Sequence, residues 1–217
     1  MKVTLITHTP DPEKIVAAAA RLCYSNSEIQ DLFNNLTEIK VTNFLNKLNS
    51  LGHESPLEHI SFTFGIEDVS RATTHQLVRH RIASYSQKSQ RYVDEQNFKY
   101  VVPKKISNNP EALELFYNCM NIIRSTYCKL KQFGIETEDA RAVLPNACCS
   151  SIIVTMNART LLNFFTLRCC NRAQEEIKQV AYEMLKLCKE VAPLIFKTAG
   201  PSCVRGECSE GEMTCKK

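Results

Sequence analysis

Val3 and Leu5 alternate with polar neighbours at the start of the chain, which is the period of a half-buried β-strand, and Pro10 marks its end. Asp11, Pro12 and Glu13 read as the cap, first position and first turn of a helix with Ile15, Ala18, Ala19 and Leu22 at helical spacing on its inward face. A second helical region carries Ile29, Leu32, Phe33 and Leu36, then Val41, Phe44, Leu45 and Leu48, and stops at Gly52. Ser55-Pro56-Leu57-Glu58 has the capping-box spacing with proline at the first helical position, so a turn of helix begins there. Ile60, Phe62, Phe64 and Ile66 alternate again and predict a strand. Asp68 or Ser70 is then placed to cap a helix expected to carry Gln76 and Arg79 to Arg81.

Residues 94–110 are rich in proline, asparagine and lysine and predict a surface loop or lid. Pro110 opens a long helix through Leu113, Phe116, Tyr117, Met120, Ile123 and Leu130, ended by Gly134. Thr137 is expected to cap a short helix running into Arg141 and Leu144 and broken by Pro145. Ile152 and Val154 alternate against Ile153 and Thr155 in a further strand, after which Asn157 caps a helix through Leu161, Leu162, Phe164, Phe165 and Leu167. Arg159, Asn163 and Arg168 form a polar stripe on that greasy helix, because four and nine positions both return close to the same face. The last helix is expected over about 173–197, with Pro193 as a possible kink, and Gly200-Pro201 ends regular structure. Helices with a few alternating strands predict an α+β class, a helix-rich domain with an antiparallel or mixed sheet. The expected organisation is one domain over 1–200 and a cysteine-containing tail over 201–217.

A chain of 217 residues is long enough to bury a core, and its net charge of +4 is too small for a nucleic-acid coat protein. No apolar run approaches membrane-spanning length, and the N-terminus turns polar too quickly for a signal peptide, so a cytoplasmic protein is expected, with no membrane or nucleic-acid partner. Eleven cysteines include the vicinal pairs Cys148-Cys149 and Cys169-Cys170, and in a reducing compartment most are expected to be small buried hydrophobes. Cys203, Cys208 and Cys215 lack the spacing of a zinc site, so no metal is expected, and a disulfide or a disordered tail is the expectation there. Six glycines without a Gly-x-Gly-x-x-Gly or Walker pattern leave little material for a dinucleotide cradle.

The positive charge is concentrated. Residues 71–93 contain no Asp or Glu but hold Arg71, Arg79, Arg81, Lys88 and Arg91, with His75, His80 and a set of amides and hydroxyls. Such a run is either a solvated, self-repelling face or a preformed anion site, because arginine offers a planar fork of donors that matches phosphate and carboxylate oxygens. If residues 79 to 81 are helical, Arg79 and Arg81 point to nearly opposite sides and serve two ligands or two parts of one.

Arg79-His80-Arg81, seven residues and then Ser89, extended to Gln90 and Arg91, resembles the signature of the flavin-dependent thymidylate synthases. Gly52-His53-Glu54-Ser55-Pro56 with Glu58-His59, Ala140-Arg141-Ala142-Val143-Leu144-Pro145, and Asn157-Ala158-Arg159 through Asn163 to Leu167-Arg168 resemble three further segments of that family, in the family's order. The resemblance implies conversion of dUMP to dTMP, with methylenetetrahydrofolate giving the carbon and NADPH reducing a bound FAD. It implies dUMP binding by Gln76, Arg79, Gln87, Ser89, Arg91 and Arg141, with Arg168 at the uracil ring. A guanidinium fixed there favours negative charge developing on the ring, as an oxyanion hole does. His53, Ser55, Arg79, His80, Arg81, Gln87, Asn157, Arg159 and Asn163 are implied as FAD contacts. Gln87 stands where some members have Glu, which excludes acid–base work there, and Arg172 stands at a family histidine. Ser89 reads as a ligand-binding hydroxyl rather than a nucleophile, since no carboxylate lies near it in sequence. The resemblance further implies a homotetramer with shared active sites.

Two other readings use the same residues. A cysteine-dependent thymidylate synthase needs a thiol nucleophile and no flavin, and leaves the arginine segment unexplained. An RNA-binding module accounts for the basic stretch, yet only Tyr85 and Tyr92 are there to stack bases.

Overall fold

The protein is seen in a computed structural model that describes residues 1–215. Lys2–His8 forms β1, with Val3 and Leu5 half-buried as their alternation predicts. Next come α1 at Pro12–Leu22, α2 at Ile29–Asn34 and α3 at Glu38–Leu51. A five-residue 3-10 turn over Ser55–His59 leads into β2 at Ser61–Ser70. After it follow α4 at Arg71–Leu77, β3 at Ser84–Gln87, α5 at Lys104–Ser107, α6 at Pro110–Gln132 and α7 at Thr137–Ala140. The second half is β4 at Cys149–Asn157, α8 at Ala158–Arg168, α9 at Glu175–Val191 and α10 at Pro193–Phe196. The strands make one antiparallel sheet in the order β1-β2-β4-β3, so the expected α+β class is observed.

The chain divides into two compact units, one of Met1–Lys2, Ile66–Arg79 and Tyr85–Ile153, the other of Val3–Gly65, His80–Ser84 and Val154–Lys217. In the first, Phe98, Met120 and Cys148 are buried and Tyr100, Phe116, Ile123 and Leu144 pack on them. α6 lays Met120 and Tyr127 inward, and Arg71 N donates to Cys148 O at 2.9 Å where β2 meets β4. In the second unit, Ile60, Phe62 and Phe64 are fully buried, and Phe196 meets Phe62 and Phe165 edge-on at 5.5 and 6.0 Å. There Ala158 N donates to Ile60 O at 3.0 Å and Thr63 and Thr155 share a hydroxyl hydrogen bond at 2.9 Å, which sets the antiparallel register.

Several local expectations change. On α1 the buried stripe is Pro12, Val16, Ala17 and Ala20, one residue away from the expected Ile15, Ala18, Ala19 and Leu22; the run of four alanines carries no facial signal, and packing against α3 chooses the side. Asp11 occupies the cap position at φ 43° without a side-chain cap bond. Ser55 is the first residue of its turn rather than the cap, which falls on Glu54. The loop over 94–110 is pinned at its start, since Glu95 and Phe98 are buried and Cys149 N donates to Lys99 O at 2.8 Å. The last helix breaks at Ala192 before Pro193 instead of kinking, because proline cannot supply the amide that a continuous helix requires.

Candidate active site

In the first unit, Ser70 caps α4 by accepting from Thr73 N at 3.1 Å. The helix ends at Leu77, so Arg79, His80 and Arg81 do not lie on it as the sequence predicts. No glycine or proline marks this stop. The Tyr85 hydroxyl donates to Leu77 O at 2.9 Å and takes up a carbonyl the ended helix leaves open. Burial pushes the Tyr85 phenol up to about 12, so it stays a donor. Gln76, half-buried near the helix end, and the exposed Arg79 close this segment.

Gln87 is held on both sides, its amide donating to Thr74 Oγ1 at 2.8 Å and to Ser150 Oγ at 3.1 Å. Its side chain therefore ties β3 to α4 and β4, a role absent from the sequence reading. Arg91, Ser89 and Arg141 do come together. Arg91 Nε pairs with the Glu138 carboxylate, Arg141 Nε donates to Glu138 O at 3.0 Å, and Ser89 Oγ accepts from Arg91 N at 3.2 Å. Two members of the expected nucleotide set, Arg91 and Arg141, thus meet at one residue that sequence reading missed, while Ser89 bonds only the backbone of Arg91. Glu138 carries no local signal, since it lies 47 positions from Arg91. Lys88 pairs with Glu95 at 2.6 Å. Two of the five cations of the basic run, Lys88 and Arg91, are therefore paired with carboxylates that lie outside it.

In the second unit, Asn157 caps α8 as expected, Oδ1 accepting from Thr160 N at 2.8 Å. α8 buries Leu161, Phe164 and Phe165 and ends at Arg168. A cation at a helix C-terminus meets the negative end of the helix dipole. His80 is 8% exposed and meets the Phe164 ring edge-on at 4.9 Å, and Arg168 Nε donates to its Nε2 at 3.1 Å. Burial, then the Arg168 charge, pull the His80 imidazole down to about 4. His80 is neutral above that, with Nε2 accepting and the ring proton on Nδ1.

Arg159 is exposed and shared by two carboxylates from the segment around the 3-10 turn, Nη1 with Glu58 and Nε with Glu54 at 3.4 Å. The Glu58 hydrogen bond, then its charge, raise the Arg159 pKa further. His53, Ser55, Arg81 and Asn163 are exposed in this unit. Of the expected flavin set, only His80 is buried.

All eleven cysteines are free thiols, and only Cys148, Cys169 and Cys188 are buried, so most are not the core residues expected, nor does the tail close a disulfide. Burial raises the Cys148 thiol to about 11, Cys169 to about 12, and Cys188 further. Those three are held as thiols, the opposite of an activated nucleophile. The described part of the tail, 201–215, forms 3-10 turns over Ser202–Val204 and Gly211–Met213 and is tied to its own unit by Arg172 with Glu210 and by Arg205 Nη2 to Thr166 Oγ1 at 2.7 Å. Among the described residues, no group of three His, Cys, Asp or Glu side chains is placed to hold a metal ion, and no helix is long and apolar enough to cross a membrane.

This architecture recurs in a solved structure, the UMP/dUMP methylase PolB from Streptomyces cacaoi bound with 5-Br dUMP, at a TM-score of 0.78 and 24% identity over 90% of this chain and 93% of that one. The likeness shows a common fold. The family model described as thymidylate synthase complementing protein matches residues 4–194, and the chain belongs to that family. Among its relatives, the flavin-dependent thymidylate synthase of Geobacter sulfurreducens is 56% identical over 219 residues, covering 100% of this chain and 94% of that protein. The protein of the same name from Clostridium tetani is 52% identical over 233 residues, with the same coverage. That from Pyrococcus furiosus is 42% identical over 222 residues, covering 98% of this chain and 91% of its own length.

Proposed function

We propose that this chain is an FAD-dependent methyltransferase that converts dUMP to dTMP, with methylenetetrahydrofolate as carbon donor and NADPH as reductant. The observation that carries the reading is full-length agreement with relatives that bear the name flavin-dependent thymidylate synthase, the first at 56% identity over 219 residues. Geometry supports it at Glu138, where Arg91 and Arg141 converge on one residue. A carboxylate gripped by an arginine presents oxygens much as a nucleotide phosphate does, and the exposed Arg91 is able to exchange one for the other. Ser89, Gln76 and Arg79 belong to the same unit and add a hydroxyl, an amide and a second guanidinium for the nucleotide. Gln87 supports that group through Thr74 and Ser150.

The donors of the second unit fit the pyrophosphate of FAD: exposed guanidinium groups on Arg81 and Arg159, the Ser55 hydroxyl and the His53 imidazole. Arg159 would hold it by giving up Glu54 or Glu58, with Asn157 at the start of α8 and the exposed Asn163 in its middle adding amide groups. Bound FAD supplies the hydride that reduces the transferred carbon. Arg168 carries the catalytic role: its guanidinium stabilises negative charge developing at N3 and O4 of the uracil ring. A homotetramer with shared sites is supported by apolar side chains left in solvent on and just after α6, Leu115 at 72%, Ile122 at 67% and Phe133 at 79% exposed. A cytoplasmic location suits these soluble substrates.

A cysteine-dependent synthase is the poorer reading, because it uses no flavin whereas the full-length relatives are named flavin-dependent thymidylate synthases. The test is an anaerobic assay with FAD, NADPH, dUMP and methylenetetrahydrofolate that follows flavin absorbance and dTMP together. Flavin that bleaches with NADPH and recolours as dTMP appears supports the proposal. dTMP formed without flavin overturns it.

A further inference from the structure

The family resemblance assigns His80 to the flavin along with its arginine neighbours, but its surroundings indicate another task. His80 is 8% exposed whereas Arg79 and Arg81 on either side are exposed, so the ring turns inward from the stretch that carries them. It lies edge-on to Phe164 at 4.9 Å, and Phe164 is itself fully buried on α8. Packing against Phe164 leaves the ring a narrow range of orientation. On the same helix, four residues on, Arg168 directs Nε at His80 Nε2 over 3.1 Å.

We propose that His80 is a positioning residue for Arg168, a neutral acceptor wedged against Phe164 that holds the guanidinium by its Nε edge and sets the direction of the two Nη groups. The inference rests on the reading of Arg168 as the group at the uracil ring. An arginine side chain has four soft torsions, and ordering it on substrate binding costs free energy comparable to a hydrogen bond. Fixing Nε beforehand takes up part of that cost before dUMP arrives, and a ligand reaching Arg168 meets the Nη nitrogens rather than Nε. A charged imidazolium in this place has no lone pair for Nε and repels the guanidinium, so the arrangement requires the neutral ring. The inward turn also separates the roles within Arg79-His80-Arg81: the arginines face solvent and ligands, and the histidine faces the protein.

The experiment uses the full chain with His80→Phe, His80→Gln, Arg168→Ala and the double variant His80→Phe with Arg168→Ala. Phe keeps the ring and its packing on Phe164 without an acceptor, and Gln keeps an acceptor near the position of Nε2. Three quantities are read: FAD bound per chain, the dUMP KM and kcat, and nitrogen-15 spectra of the histidine rings and arginine Nε–H groups without substrate. Expected are an unprotonated Nε2 on His80 and a slowly exchanging Arg168 Nε–H that His80→Phe abolishes and His80→Gln keeps. His80→Phe lowers kcat on the order of ten- to hundredfold, as misplacement of a reacting group by about an ångström does, with FAD content and dUMP KM held. His80→Gln restores most of it. In the Arg168→Ala background, His80→Phe costs nothing further. The proposal is overturned if His80→Phe releases FAD while the Arg168 Nε–H signal is unchanged, or if the two substitutions multiply. Should the wild type make no dTMP, the reaction reading fails, and the nitrogen spectra still decide whether His80 holds Arg168.

Discussion

Lys88 Nζ lies 2.6 Å from Glu95 Oε1, with the glutamate side chain 6% exposed and the lysine 34% exposed. The contact is ionic rather than directional, since Glu95 Oε1 has no hydrogen-bond partner of good geometry. A carboxylate withdrawn from water depends on its countercharge. It also anchors the start of the loop over 94–110, because Glu95 O accepts from Phe98 N at 3.0 Å and Tyr127 Oη accepts from Glu95 N at 3.3 Å. Lys88→Met is expected to destabilise the protein by about 1–3 kcal/mol, because it strands the buried carboxylate while solvent at the lysine limits the loss. Urea unfolding checks this, and an unchanged midpoint would show the pair to be decorative.

Removing the Arg168 guanidinium with Arg168→Ala is expected to leave the fold and the flavin and to lower turnover by roughly a hundredfold or more, the usual loss for a donor aimed at developing charge. Steady-state kinetics with flavin content measured alongside decides it. Normal turnover in this variant would remove Arg168 from the mechanism.

Arg81→Ala is expected to behave in the opposite way, losing FAD on gel filtration while circular dichroism is retained. Arg81 is exposed and packs nothing in the core, so its loss should not disturb folding. Retained flavin would sink its assignment.

Acid should weaken the protein through His80. Its folded pKa is depressed to about 4 from 6.5, first by burial and then by Arg168. Between these values the unfolded chain takes up the proton and the folded chain does not, so stability is full above about 6.5 and falls as pH drops toward 4. The shift corresponds to an upper bound of roughly 3 kcal/mol at 1.36 kcal/mol per unit. Urea unfolding of the wild type and of His80→Gln across this window checks it. The variant should lose this part of the pH dependence, and parallel curves would show that other groups carry it.

Asn157 serves α8 through Thr160 N at 2.8 Å, whatever else it binds. Asn157→Ala is expected to cost about 1 kcal/mol, and Asn157→Ser or Asn157→Asp to recover most of it, since each keeps an oxygen for the cap. Thermal unfolding in the absence of flavin measures the cap alone, and equal melting temperatures for all four proteins would contradict it.

Much of this was legible in the chain. The alternation through Phe62, Phe64 and Ile66, the stop of α3 at Gly52 with φ 67°, the start of α6 at Pro110 and the cap at Asn157 all lie where local pattern puts them. The basic run announced anion chemistry as an expectation through its arginine, glutamine and serine residues, but Arg79 to Arg81 lie past the end of α4 rather than on it. What each of them touches was not legible. Nothing near Leu77 announces the end of α4, since the group that meets its carbonyl is Tyr85, eight residues on.

By itself the sequence determined most of the elements and the class of the fold, but not β3 or the short α5 inside the expected loop. Periodicity, caps and proline act within a turn or a pleat, so neighbours in sequence suffice to decide them. Only the tertiary structure decided which face of α1 is buried, that Arg91 and Arg141 meet at Glu138, and that His80 turns inward to Arg168, 88 positions away. Those pairings depend on the path of the whole chain, and no local preference for helix or strand contains it.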